Sequence, residues 1–204
     1  MIPRPPKIEP PPVPVSLSKV LLVEGSTPVH FFEALLCQLG LNDSVEIRDF
    51  GGVRQMRAFV RAFASSSEFR RLVKSMGVVR DAETNAGGAR QSVDDALKAA
   101  ALPEAVQTSV FILPDNERPG MIETLCIESV RQTPVFSCVE QFFQCVETQG
   151  VDLPGAPHDA KNRAQAFLAT RSEVQLYPGI AAYRGYWPWD SAVFANLKEF
   201  LEAL

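Results

Sequence analysis

The chain has 204 residues, a length that suits one domain of ordinary size or one domain with a small lobe. Hydrophobic residues make up 46% of the chain and charged residues 22%, so wholesale disorder is excluded. The net charge of −4 argues against a generic basic protein that coats DNA, although it leaves room for a local basic face. No apolar run approaches the roughly 18 residues of a membrane helix and no secretion signal is present, so we expect a cytoplasmic protein without a membrane partner.

The cysteine pattern argues against a structural zinc site. The chain has four cysteines and two histidines, and no two cysteines form a CxxC pair. We therefore expect four buried free thiols of a reducing compartment, at Cys37, Cys126, Cys138 and Cys145.

Residues 1–18 form a proline-rich N-terminal arm. Proline fixes φ and lacks a backbone donor, so this segment is predicted to be extended polyproline II rather than helix or strand. Two interpretations follow. The arm is either a stiff leader that is solvated or lies on the body of the protein, or it docks a protein partner or a second copy of this chain.

Apolar runs and helical stripes alternate along residues 19–130, which predicts an α/β core. The runs predict four strands, at residues 20–23, 45–47, 76–80 and 109–113. Between them, apolar residues recur at helical spacing, and Ser26 or Thr27 is expected to cap the first helix. This alternation predicts a three-layer α/β/α (Rossmann-like) domain with a four-stranded, mainly parallel sheet.

After residue 130 the strand signal fades. Residues 131–204 are predicted to be a helical extension packed on the core, with helical patterns over 135–147, 161–170 and 191–203. A segment rich in proline and glycine separates the last two patterns and is expected to be a loop. Its aromatic residues are expected to pack rather than to bind a ligand; they are Tyr183, Tyr186, Trp187 and Trp189.

Acidic residues follow three of the predicted strands. Glu24 follows the first, Asp81 and Glu83 end the third, and Asp115 and Glu117 follow the fourth. The carboxyl ends of parallel strands meet at one edge of a sheet, where ligands usually bind. Clustered carboxylates repel each other, and a cation that prefers oxygen ligands, Mg²⁺ or Mn²⁺, relieves that repulsion. The plainer alternative is that these acids cap helices and keep a loop hydrated.

The order of the motifs resembles the Toprim fold, which is shared by topoisomerases, bacterial primases and OLD-type (overcoming lysogenization defect) nucleases. Val23-Glu24-Gly25 after one strand and Asp81-x-Glu83 after another carry this resemblance. The chain is most similar to a Toprim-like bacterial and archaeal family of unknown function, over about residues 19–200. The further motifs shared with that family are Phe31-Phe32-Glu33-Ala34-Leu35-Leu36, Gly51-Gly52, residues 81–85, Arg90-Gln91-Ser92, Pro114-Asp115-Asn116, Pro119-Gly120-Met121-Ile122-Glu123 and Lys161.

The resemblance implies roles for individual residues. Glu24 would act as general acid/base or as a metal ligand, and Lys161 would be a catalytic residue that faces the phosphate. Asp81 and Glu83 would bind Mg²⁺ or Mn²⁺, with Glu123 as a further ligand and Asp115 and Glu117 as additional candidate acids. OLD-type sequences usually carry an acid four residues after the first glutamate, and this chain has Pro28 there.

Two functions are compatible with this resemblance. The first is a Mg²⁺-dependent phosphoryl-transfer protein, in the form of a nuclease that acts on DNA or RNA. The alternative is a non-catalytic, Toprim-like regulatory module that binds a nucleotide or a protein partner. The resemblance leaves both open, because one fold hosts several functions.

Two basic features remain. Arg54, Arg57 and Arg61 lie at i, i+3 and i+7 and so share one helix face, which is either a stripe that tracks phosphates or an ordinary solvated face. Arg90 follows Gly87-Gly88 at the predicted start of a helix. Because helix N-termini attract anions, Arg90 is a candidate phosphate contact, with a helix cap on a flexible loop as the alternative.

Overall fold

In the computed structural model, residues 14–155, 158–175 and 177–204 are described. Most of the predicted N-terminal arm, residues 1–13, lies outside the described residues. The end of the arm is tied to the body of the protein, because Glu46 Oε2 accepts hydrogen bonds from the backbone N–H groups of Ser16 (2.8 Å) and Leu17 (3.1 Å), and Val15 is buried. The docking role of the arm stays a prediction.

Four parallel strands form the sheet, in the order β2-β1-β3-β4. They are β1 (Lys19–Val23), β2 (Val45–Asp49), β3 (Ser75–Asp81) and β4 (Gln107–Leu113). All four predicted strands are present, and the expected mainly parallel sheet is parallel throughout. Each strand runs towards the edge at which the predicted acids lie.

Helices cover both faces of the sheet. Their bounds are α1 (Ser26–Leu39), α2 (Val53–Ser65), α3 (Ser67–Leu72), α4 (Ala86–Ala100), α5 (Ile122–Val130), α6 (Pro134–Thr148), α7 (His158–Ala169), α8 (Pro178–Tyr183) and α9 (Ala195–Glu202). Helices α2, α3 and α4 share one hydrophobic cluster with the sheet, and α1 and α5 to α9 share the other. The three-layer α/β/α fold is therefore confirmed. Within the described part of the chain, no helix is both long enough and apolar enough to span a membrane.

The predictions for the cap of the first helix and for three of the four cysteines are wrong. Gly25, rather than Ser26 or Thr27, occupies the N-cap position of α1, and it makes the turn out of β1 with a φ of 91° that favours glycine. Cys126 is buried as expected, but the other three cysteines are exposed. Cys138 and Cys145 share a face of α6, and the side chains that bury this helix, Phe136 and Phe143 among them, lie on its other face.

Helix α8 lies where a loop is expected, and it attaches the C-terminal segment to α1. A Cβ atom placed on Gly179 would lie 2.3 Å from the carbonyl oxygen of Thr27, so only glycine permits this approach. Trp187 packs as expected: its side chain is buried, and its Nε1–H donates to the carbonyl oxygen of Pro178 at 2.9 Å. Tyr183, in contrast, is exposed. The predicted helix over 191–203 is a 3₁₀ turn, Ala192–Phe194, followed by α9.

The close approach of α8 to α1 makes Gly179 sensitive to substitution. We expect Gly179→Ala to reduce the free energy of unfolding by about 1 to 3 kcal/mol, because the added methyl group forces two backbones apart. Urea unfolding followed by circular dichroism measures this change. Gly155→Ala is the matched control, since its Cβ would meet no atom within 4 Å. Equal stability of the two variants would contradict the prediction.

Candidate functional site

The candidate site lies at the carboxyl edge of the sheet, between β1 and β3. Helix α1 follows β1 and covers one face, whereas α4 follows β3 and covers the other. When the chain leaves two neighbouring strands towards opposite faces of a sheet, a crevice opens between the two connections. Ligands generally bind in this crevice in open parallel sheets. A cavity of about 460 Å³ occupies this crevice.

Four of the predicted site residues line this cavity. Glu24 follows β1, Asp81 ends β3, Glu123 lies in the first turn of α5, and Lys161 lies on α7. The turn at residues 25–28 and the pair Tyr177-Pro178 also line the cavity. The fold thus brings together side chains that are far apart in the sequence, and three of the four are acidic.

Glu24 is held by two groups from the α2–α4 side of the sheet. Its Oε1 accepts a hydrogen bond from the backbone N–H of Val53 at 3.2 Å, and its Oε2 lies 3.8 Å from Nε of Arg80. Burial raises the pKa of Glu24 above its usual value, whereas Arg80 and the Val53 hydrogen bond oppose that rise. The carboxyl group is therefore fixed in position while its proton affinity is increased.

Asp81 carries the largest pKa shift at the site. Its Oδ1 accepts a hydrogen bond from the backbone N–H of Ile122 at 3.0 Å. Burial, reinforced by the charge of Glu123, raises the pKa of Asp81 to about 7. A carboxyl group with that pKa exchanges a proton near neutral pH, which suits general acid/base work.

Glu123 is the least solvent-exposed of the three acids, with 6% of the residue exposed. Burial raises its pKa, and Lys161 opposes this rise, with its Nζ 3.9 Å from Oε1 of Glu123. The lysine side chain itself remains half exposed. Lys161 therefore partly balances the charge of Glu123 while its ammonium group stays accessible from solvent.

The acids are not gathered into a ready-made metal cage. Across the residues for which coordinates are described, no group of three or more His, Cys, Asp or Glu side chains is placed to hold a metal ion. Mg²⁺ does not require such a cage, because proteins often hold it with one or two carboxylates, several waters and the oxygens of a substrate phosphate. The cavity offers carboxylate oxygens, which are the type of ligand that Mg²⁺ and Mn²⁺ take in proteins.

Glu83 lies beside the cavity rather than in its wall. The residue is exposed and has a φ of 50°. Its backbone forms a two-way bridge with Gly120, with both N–H to carbonyl distances at 2.8 Å. The charge of Glu83 nevertheless reaches the site, because it helps to raise the pKa of Glu24.

The remaining predicted site residues do not line the cavity. Asp115 accepts hydrogen bonds from the backbone N–H groups of Glu117 and Arg118 and forms an ion pair with the Arg118 side chain, so it stabilises its own turn. Glu117 is exposed in the same turn. Arg90 is exposed on α4, where its Nε lies 3.4 Å from Asp94. Its role as a phosphate contact stays a prediction.

Sequence reasoning missed two residues that shape the site. Asp49, at the end of β2, accepts hydrogen bonds from the backbone N–H groups of Gly25 and Gly51, both at 2.7 Å, and so ties the ends of two strands together. It is the last residue of β2, as Asp81 is of β3, and the same strand-end logic would have found it. Arg80 holds Glu24, but it is a basic residue at the end of a predicted apolar strand. The strand-end argument concerns acidic residues, so it does not single out Arg80.

One protein family matches the chain. The model of the family described as "Protein of unknown function (DUF3226)" matches residues 18–204. No curated protein and no solved structure matches the chain. The expected similarity to a family of unknown function is thus confirmed, while its relationship to the Toprim fold stays a prediction.

The raised pKa of Asp81 predicts a specific pH dependence of stability. An unfolded chain has an Asp pKa of about 3.9, so between about pH 4 and 7 the folded protein binds more protons than the unfolded one. The stability that this carboxyl group contributes is therefore present below about pH 4 and is lost as the pH rises through 7.

Asp81→Asn removes this charge and keeps an oxygen for the Ile122 hydrogen bond. We expect the variant to be more stable than the wild type at pH 8 by a few kcal/mol, at about 1.4 kcal/mol per pKa unit, and the gain to shrink towards pH 5. Urea unfolding across this pH range measures the difference, with the exposed Asp152→Asn as a control. A wild type that is the more stable protein at pH 8 would disprove the assignment.

Proposed function

We propose that this chain, which belongs to the DUF3226 family of proteins of unknown function, is a Mg²⁺-dependent phosphoryl-transfer protein that acts as a nuclease on DNA or RNA. The observation that carries the proposal is the gathering of Glu24, Asp81 and Glu123 with Lys161 around one cavity at the crevice of the sheet. The Toprim relationship implied by the order of the motifs is part of the same proposal.

Electrostatics supports the cation. All three acids have raised pKa values, and for Asp81 the charge of Glu123 contributes to the shift. Binding a divalent cation relieves this repulsion, whereas binding a phosphate without one adds to it. In the proposed complex Asp81 and Glu123 hold Mg²⁺ or Mn²⁺ together with the substrate, and the bound ion supplies neutralisation of phosphate charge and activation of water.

The other residues have distinct roles in this proposal. Glu24, fixed by Val53 and Arg80, is the general acid/base or an additional ligand. Lys161 donates from its accessible ammonium group to a phosphate oxygen. Pro28 lines the cavity at the position where OLD-type sequences carry a further acid, and it offers no side-chain oxygen. The proposal is therefore for one ion rather than two.

One observation favours the alternative function. Glu24 and Glu123 each have a cationic neighbour within 4 Å, Arg80 and Lys161, so part of the charge that an ion would neutralise is already balanced. A non-catalytic module that binds a nucleotide or a protein partner is compatible with this balance. It differs from the nuclease in one measurable respect, because it would bind phosphate ligands without turnover.

The first test combines metal binding with cleavage. We expect Mn²⁺, followed by electron paramagnetic resonance, to bind more tightly when a phosphorothioate oligonucleotide is present. Asp81→Asn should lose that binding and about 100-fold or more of the metal-stimulated cleavage of the corresponding phosphodiester. Glu117→Gln is the matched control, since it removes an acid that follows a strand outside the cavity.

Three results would count against the nuclease. Cleavage that Asp81→Asn leaves unchanged would remove the proposed site. Saturable binding of the oligonucleotide or of a nucleotide with no turnover would favour the binding module. No Mn²⁺ binding at millimolar metal, with or without the oligonucleotide, would remove the metal from the proposal.

Lys161 provides a second test. We expect Lys161→Gln to lower kcat/KM for cleavage by about 10- to 100-fold, since a hydrogen bond to a charged group contributes about 1.5 to 3 kcal/mol. Lys161→Arg should restore part of the loss because it keeps the positive charge. Steady-state kinetics measures both variants, with Lys198→Gln on α9 as the control. Full activity of Lys161→Gln would show that the lysine only balances Glu123.

A further inference from the structure

Helix α2 presents a strongly basic face to solvent. Arg54, Arg57 and Arg61 are all exposed, and no acidic residue occurs in the helix. With Ala58, Ala62 and Ser65 they form one open, shallow groove along the surface of the helix. Within the described ranges of the chain, none of the three guanidinium groups forms an ion pair. We call these three residues the α2 arginine face.

The composition of this face differs from that of an ordinary solvated one. Solvent-exposed helix faces usually mix charges of both signs, as on α4, where Arg90 lies near Asp94. On α2 the like charges of Arg57 and Arg61 stand at i and i+4, a spacing that destabilises a helix. An anion bound between them removes this repulsion. The small Ala58 and Ala62 leave the space between the arginines open to such a ligand.

The α2 arginine face begins one residue after a direct contact with the candidate site. Val53, the first residue of α2, donates its backbone N–H to Glu24, and Arg54 follows directly. From Arg54 to Arg61 the helix rises by about 10 Å, at 1.5 Å per residue. Successive phosphates of one DNA strand in a duplex are about 3.4 Å apart along the helix axis. The face is therefore long enough to contact about two to three successive phosphates.

We propose that the α2 arginine face binds the phosphate backbone of a nucleic-acid strand that continues into the carboxylate cavity. The inference rests on the proposed function for its choice of a nucleic acid, and it adds the surface that holds the polymer. Arginine suits this role because its planar guanidinium group makes paired hydrogen bonds to phosphate oxygens. Contacts to phosphates alone carry no base information, so binding is independent of sequence.

The test measures binding without turnover. Fluorescence anisotropy in EDTA reports the affinity of the full chain for a short labelled single-stranded oligonucleotide of mixed sequence over a range of salt concentrations. We expect Arg54→Gln/Arg57→Gln/Arg61→Gln to weaken binding by about tenfold or more at low salt. The slope of log K against log salt should become shallower by about 2, at about 0.7 per lost phosphate contact.

A matched variant separates the face from net charge. Lys74→Gln/Arg131→Gln/Lys198→Gln also removes three solvent-accessible positive charges outside α2, none of them ion-paired within the described residues, and it should bind like the wild type. Equal losses in the two triple variants would overturn the proposal, and so would an unchanged affinity of the α2 variant. Displacement of the oligonucleotide by polyglutamate at equal charge would also overturn it, in favour of an acidic protein partner.

The same assay distinguishes this inference from the proposed function. Asp81→Asn should bind the oligonucleotide at least as tightly as the wild type, because it removes a negative charge near the strand. Tight binding that depends on the α2 arginine face, combined with no cleavage in Mg²⁺ or Mn²⁺, would support the surface and refute the nuclease. Cleavage in Mg²⁺ or Mn²⁺ that the α2 triple variant leaves unchanged would support the nuclease and refute the surface.

Discussion

The candidate site depends on the parallel register of β1 and β3. Leu22 pairs with Val78, so the two strands reach the same edge of the sheet together. Because alternate residues of a strand point to opposite faces, Arg80 falls on the side of Glu24 and Asp81 on the other. This register thus places the Arg80 cation beside Glu24 and away from Asp81. A slip of β3 by one residue would put Asp81 on the side of Glu24 and Arg80 on the opposite side.

This division gives the acids of the cavity unequal environments. Glu24 and Glu123 each lie within 4 Å of a basic side chain, whereas Asp81 accepts one backbone hydrogen bond and is influenced by Glu123, which raises its pKa, and by Lys161, which lowers it. The negative charge is therefore least compensated at Asp81, whose pKa is raised to about 7. The ionised Asp81 lowers the free energy of unfolding. In the proposed function, binding a cation together with a phosphate offsets this loss.

The sequence predicts the sheet well and the turns poorly, for a physical reason. Strands and long helices are encoded by local apolar periodicity, which a single sequence displays. The α8 contact depends instead on the absence of a side chain at Gly179, next to a backbone oxygen of α1. Such a contact leaves no periodic signal. The exposure of Cys138 and Cys145 likewise depends on which face of α6 finds a neighbour.

The same distinction applies to the site. A position at a strand end predicts the edge of the sheet, and Glu24 and Asp81 lie there as expected. It does not predict the direction in which the side chain points. Asp115 accepts hydrogen bonds from N–H groups of its own turn, and the backbone of Glu83 is fixed by its bridge to Gly120. Local hydrogen bonds therefore decide which of the acids reach the cavity.

The wall formed by Tyr177 and Pro178 has a consequence for the order of events during synthesis. Ribosomes deliver the acids early, whereas α8 emerges late and must then pack against α1, the helix that follows the first strand. Until that packing occurs, the cavity lacks the wall that Tyr177 and Pro178 form. A chain that stops before α8 would retain every acid of the site and leave that side of the cavity open to water.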